Sequence, residues 1–70
     1  MKRQSVSSSN INSIGYDPES CILEIEFHNG SVYQYFDVPQ STYDELMHAS
    51  SHGSYFHRHV KEQYQWTKIS

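Results

Sequence analysis

Residues 21–28 alternate strictly: Cys21, Leu23, Ile25 and Phe27 fall on one side, Ile22, Glu24, Glu26 and His28 on the other. A period of two marks a half-buried strand. Asn29-Gly30 comes next, two residues that tolerate positive φ and favour a tight hairpin. Residues 31–38 then read as the return strand, ended by Val38-Pro39. A two-residue turn sets the register. It pairs Phe27 with Val32, Glu26 with Tyr33, Glu24 with Tyr35 and Leu23 with Phe36. Leu23, Ile25, Phe27, Val32 and Phe36 would then form the core face, and Tyr33 and Tyr35 would stand beside Glu24 and Glu26 on the other face. Upstream, Ile11, Ile14 and Tyr16 predict another strand over 9–16. The step from 11 to 14 breaks alternation and requires a bulge or an irregular start. Asp17-Pro18-Glu19-Ser20 is the turn between the two strands.

Downstream the period changes. Tyr43, Leu46, Met47 and Ser50 share one face of a helix predicted from about Pro39 to Ser50, with Asp44 and Glu45 in its first turns. Ser51-His52-Gly53 breaks it. Ser54 caps a second helix reaching about Tyr64, whose apolar stripe is Phe56, Val60 and Tyr64. Tyr55, Arg58 and Glu62 point away, with Lys61 at the margin. The expected fold is α+β: a three-stranded antiparallel β-meander followed by two α-helices packed on its apolar face (β-β-β-α-α). Residues 1–8 read as a flexible arm, 9–64 as a single domain and 65–70 as a tail whose Trp66 folds back onto the body.

Length and composition narrow the function. Seventy residues make one small domain, and a chain of this size buries only about 60% of its unfolded surface. The chain is 36% hydrophobic but 14% aromatic, so rings supply most of its large apolar groups. Its net charge of −3 argues against a strong non-specific nucleic-acid binder. Residues 17–45 hold seven acids and no Lys or Arg, while both ends are mildly basic. The single cysteine permits no internal disulfide. No apolar run approaches the ~20 residues of a membrane span, and no signal peptide is visible. The expectation is a cytoplasmic protein with no membrane partner.

The order of these signals resembles the KTSC domain, a small domain found at the C-terminus of some lysyl-tRNA synthetases and as stand-alone proteins. The likeness rests on Ser8-Ser9-Asn10-Ile11, Ile14-Gly15-Tyr16-Asp17, Leu23-Glu24-Ile25-Glu26-Phe27, Gly30 and Tyr33-Gln34-Tyr35. Val38-Pro39, Tyr43, Leu46, Ala49, Ser51, Gly53 and Tyr55-Phe56 complete it, over roughly residues 6–64. The family often has Asn after the Tyr-Phe pair and Arg near the end of the second helix; here His57 and Lys61 stand there. The resemblance implies a stand-alone binding domain, with RNA suggested by the synthetase attachment.

Two surfaces are candidates. Tyr33 and Tyr35, two apart on a strand, project to one side and are able to stack bases; equally, they would close a small apolar patch with Ile14 or Tyr16. Tyr55, Arg58 and Lys61 form an aromatic-basic strip that, with Lys2 and Arg3, would meet a phosphate backbone. It would serve as well as a solvated helix face. The histidines have no metal-ligand spacing: His57 and His59 diverge on a helix, and Gly53 and its neighbouring serines break the helix around His48 and His52. Cys21 reads as a small core residue of its strand. No nucleophile–base pair assembles, so no enzyme, metal or cofactor is expected. Two readings stand: a module binding RNA or other nucleic acid weakly, and a protein-interaction or self-association module.

Overall fold

The computed structural model describes all residues 1–70. Five strands and two helices occur in the order β1 (Arg3–Ser5), β2 (Ile11–Asp17), β3 (Ile22–Phe27), β4 (Val32–Tyr35), α1 (Gln40–His48), α2 (His52–His59) and β5 (Trp66–Lys68). The strands form one antiparallel sheet in sequence order, with the helices inserted between β4 and β5. The fold is thus α+β with two helices, as expected, but the sheet has two further strands. β1 lies in what the sequence suggested was a flexible arm, and β5 in what it suggested was a tail. No helix is long and apolar enough to cross a membrane.

The hairpin corrects the predicted register by one residue. Leu23 faces Tyr35, Ile25 faces Tyr33 and Glu26 faces Val32. The turn spans three residues, His28 to Gly30. The Gly30 amide donates to the Phe27 carbonyl and the Phe27 amide to Ser31, both at 2.9 Å. Gly30 closes the turn with φ +92°, a conformation that suits glycine. A shift of one residue moves a whole strand to the other face. Tyr33 and Tyr35 therefore join Leu23, Ile25 and Phe27 on the inner face. Val32 goes to the outer face, and Phe36 lies half-buried beyond the strand end.

The irregularity expected near Ile11 is a bulge at Asn12, between the Ile11–Phe27 and Ser13–Glu26 pairs. It resets the parity, so that Ile11, Ile14 and Tyr16 all face inward. α1 begins after Pro39 and ends at His48, which places Asp44 and Glu45 beyond its first turn. The cap of α2 is Ser51, whose hydroxyl accepts from the Ser54 amide, rather than Ser54 itself. α2 ends at His59, so Lys61 and Tyr64 lie in the turn beyond it. The predicted inward residues hold: Leu46, Phe56 and Val60 join Ile11, Ile14, Leu23, Ile25, Tyr35 and Val38 in one core. Tyr16 stacks on Tyr43 with centroids 4.9 Å apart and donates its hydroxyl proton to the Val38 carbonyl. Burial, before its neighbours Cys21, Asp17 and Asp44, pushes the Tyr16 phenol up to about 12. Cys21 is not on the strand: it is half-buried in the preceding turn with φ +57°, its Sγ nearest the Pro18 carbonyl.

The outer face carries a polar network in place of helices. Arg3 pairs with Glu24, which is 5% exposed, and its Nε donates to Ser13 Oγ at 3.0 Å. Gln34 donates to the other Glu24 oxygen at 2.8 Å. Ser13 and Asn12 donate to Glu26 at 2.8 and 2.9 Å. The Arg3 side chain crosses the sheet over Gly15, where a Cβ would meet the Lys2 carbonyl at 2.8 Å and Arg3 Cγ at 2.9 Å. Gly15 is therefore what admits the edge strand and its guanidinium.

Gly15→Ala is expected to push β1 off and destabilise the domain by about 1–3 kcal/mol in urea unfolding. Arg3→Ala should cost about the same, because Glu24 loses a charged partner. The double variant should cost little more than either alone, since both changes remove one contact; full additivity would contradict the coupling. A second expectation concerns acid. The hydrogen bonds from Ser13, then Asn12, hold the Glu26 carboxyl below its usual 4.5. A depressed folded pKa contributes stability above the unfolded value, and that stability is lost as pH falls through the folded one. Glu26→Gln should therefore flatten the fall of Tm below about pH 4.5. An unchanged acid limb would remove Glu26 from the account.

Candidate functional site

The helices cover the inner face unevenly. α1 and the Val38 segment close the end containing Tyr16 and Leu23. Toward the hairpin turn the sheet is open, and a groove of about 690 Å³ lies there. One wall is the hairpin turn, with His28, Asn29 and Ser31. The other is α2 and the turn after it, with Gly53, Phe56, His57, Lys61 and Glu62. Phe27, Tyr33, Tyr35 and Trp66 supply the apolar lining, with Ser9, Asn10 and Ile11 at the β2 end.

Five rings run through this lining in edge-to-face contact. Trp66 meets Tyr33 at 5.4 Å, and Tyr33 meets Phe27 at 5.7 Å. Phe27 meets Phe56 at 5.5 Å, and Phe56 meets Tyr35 at 5.4 Å. Such pairs contribute about 0.5–1.5 kcal/mol each beyond the area they bury. The chain grades from core to surface: Tyr35 is 4% exposed, Tyr33 is half-buried and Trp66 is 54% exposed. Burial pushes the Tyr35 phenol up to about 12, with Tyr33 adding to the effect. Tyr35 is thus a core residue that reaches the groove, and Trp66 is its open end.

The candidates from the sequence separate. Tyr33, Tyr35 and Lys61 all line the groove, although the tyrosines do so from the inner face and not as an exposed platform beside Glu24 and Glu26. Arg58 lies outside it, on an adjoining polar depression with Ser51, Ser54 and His57. Tyr55 belongs to neither. Its hydroxyl donates to Glu45 at 3.0 Å and its ring lies 4.5 Å from that of His59. Burial, then that carboxylate, raises its pKa. Arg3 is held on the outer face by Glu24, so it does not extend the Arg58–Lys61 strip. Trp66, expected only to fold back onto the body as part of a tail, also lines the groove. It lies on β5, whose pairing with β4 sets Trp66 opposite Tyr35 and Lys68 opposite Tyr33, on the inner face.

Charge is distributed unlike the overall sum. Glu62 is the one acid lining the groove, against Lys61 and two histidines. Glu24 and Glu26 are engaged on the far face. His28, His48 and His52 each bond a backbone carbonyl, those of Ser8, Asp44 and Leu46. No group of three or more His, Cys, Asp or Glu side chains is placed to hold a metal ion.

Fold and groove together define a small α+β domain with a ring-lined cleft between its sheet and second helix. The chain belongs to the KTSC domain family, whose profile matches residues 7–64. It is similar to the crystal structure of a KTSC domain protein from Yersinia pestis, with a TM-score of 0.93 and 44% identity over 99% of this chain and 97% of that one. An uncharacterized protein of Stutzerimonas stutzeri is 44% identical over 91% of this chain and 90% of its own length. A lysine–tRNA ligase of Nostoc is 42% identical over 79% of this chain, which corresponds to 10% of the ligase. The domain thus occurs both alone and as a small part of a synthetase. β1 and β5 lie outside the residues that the family profile matches.

The burial gradient gives an expected contrast. Tyr35→Ala should cost about 3–5 kcal/mol in chemical denaturation, the scale of a buried ring truncated to alanine. Trp66→Ala, at the exposed end, should cost less than half as much. Equal losses would mean that β5 is part of the cooperative core.

Proposed function

We propose that this domain is a non-catalytic module that binds single-stranded RNA in the ring-lined groove. The observation that carries the reading is the gradation from Tyr35 to Trp66: an exposed indole and a half-buried phenol in a cleft with Lys61 on its wall. Aromatic faces that stack bases beside cations that meet phosphates are the two components of single-strand binding. Lys68, opposite Tyr33 on the inner face, and Arg58, beyond His57, extend the positive side. None of the seven acids of the acidic middle lines the groove, and Glu24 and Glu26 lie across the sheet from it. The similarity to lysine–tRNA ligases, named for a transfer RNA, supports RNA as the ligand class. Tyr55 has no part in the reading. Self-association through a sheet edge is less favoured, since both edges are three-residue strands, too short to template another chain well.

Trp66 is the sole tryptophan, so its fluorescence reports the groove directly. Titration with a single-stranded RNA at low salt should quench it with a Kd on the order of 10–100 μM, weakening as salt rises. Lys61→Glu combined with Arg58→Glu should weaken binding about tenfold, while Tyr55→Phe should leave it unchanged. Absence of saturable binding at low salt would overturn the proposal.

A further inference from the structure

We infer that the groove accepts a short unpaired stretch, about two nucleotides, one base at a time, and refuses a duplex. The inference rests on the RNA reading above and assigns its footprint. Three observations carry it. First, the rings do not form a flat platform: Trp66 is tilted 64° from Tyr33, and Tyr33 is tilted 82° from Phe27. A run of mutually stacked bases would need parallel faces; tilted rings take single bases in separate orientations. Second, the rings lie between two walls, the hairpin turn and α2, rather than on an open sheet. A base that is paired and stacked in a helix cannot enter such a recess, whereas an unstacked one can be splayed into it. Third, the cleft of about 690 Å³ falls within the roughly 300–1,000 Å³ of sites for small ligands, which is room for a dinucleotide and not for a long strand. Asn29 and Ser31, at the hairpin end, place polar groups where a base edge would arrive, and Lys61 on the opposite wall faces its phosphate.

The test uses the full chain and labelled RNA strands of 2, 4, 8 and 12 nucleotides, together with a 12-base-pair duplex. Anisotropy and Trp66 fluorescence are read in parallel. Affinity should change less than about fivefold from four to twelve nucleotides, the extra being the number of equivalent registers. The duplex should bind at least about tenfold more weakly and leave Trp66 unquenched. Trp66→Leu, which keeps apolar bulk, should weaken the four-nucleotide strand about tenfold with circular dichroism unchanged. Affinity that climbs tenfold or more with length, or a duplex that binds as well, would overturn the footprint while leaving RNA binding intact. That result would signify a charged surface track. Failure of every strand to bind would remove the RNA reading and the footprint together.

Discussion

The whole arrangement depends on a three-residue turn. Gly30, at φ +92°, lets the chain reverse over His28–Gly30, and so the β3–β4 pairing sets Ile25 against Tyr33 and Leu23 against Tyr35. A two-residue turn would send both tyrosines to the acidic outer face and leave the inner face without them. With the observed register, two rings of β4 meet Phe27 and Phe56, and the contacts continue to Trp66 through β5. Core and groove are therefore one aromatic system. Its buried end holds the fold together, and its exposed end lines the groove.

The outer face solves a different problem. A sheet covered on one side only must satisfy the other side with polar contacts. Here a guanidinium lies across the sheet instead of a helix: Arg3 reaches over Gly15 to Glu24, while Gln34 meets the other Glu24 oxygen and Ser13 and Asn12 both donate to Glu26 Oε1. This network engages Glu24 and Glu26, two of the seven acids between residues 17 and 45, on the face away from the groove. The two faces thus have separate roles, and net charge is a poor guide to either.

Much of the fold was legible in the sequence. Strict alternation over 21–28 located β3, the Ile11–Ile14 step implied the bulge, and Leu46, Phe56 and Val60 marked the inward faces of the helices. What misled was local. Asn29-Gly30 is a strong signal for a two-residue loop, yet His28 joins the turn and the Asn29 carboxamide caps the Ser31 amide. One residue of slip reversed the reading of Tyr33 and Tyr35. β1 and β5 were hidden for another reason. Each is three residues long and exposed, so neither carries burial alternation, and both are defined by pairing with an existing edge. Of the site, Tyr33, Tyr35 and Lys61 were visible as residue types. Their meeting with Trp66 depends on long-range strand pairing that no local pattern encodes, and Tyr55 stands apart from the groove because Glu45 on the neighbouring helix holds its hydroxyl.

The most direct test of the account is a map of amide and indole chemical shifts as a short single-stranded RNA is added to isotope-labelled protein. The account predicts shifts confined to the groove: the Trp66 indole, Tyr33, Gly53, His57 and Lys61, with Tyr55 and the Arg3–Glu24 face silent. Shifts centred on Tyr55 and Glu45, or on the outer face, would contradict the claim that the register-built aromatic chain is the binding surface.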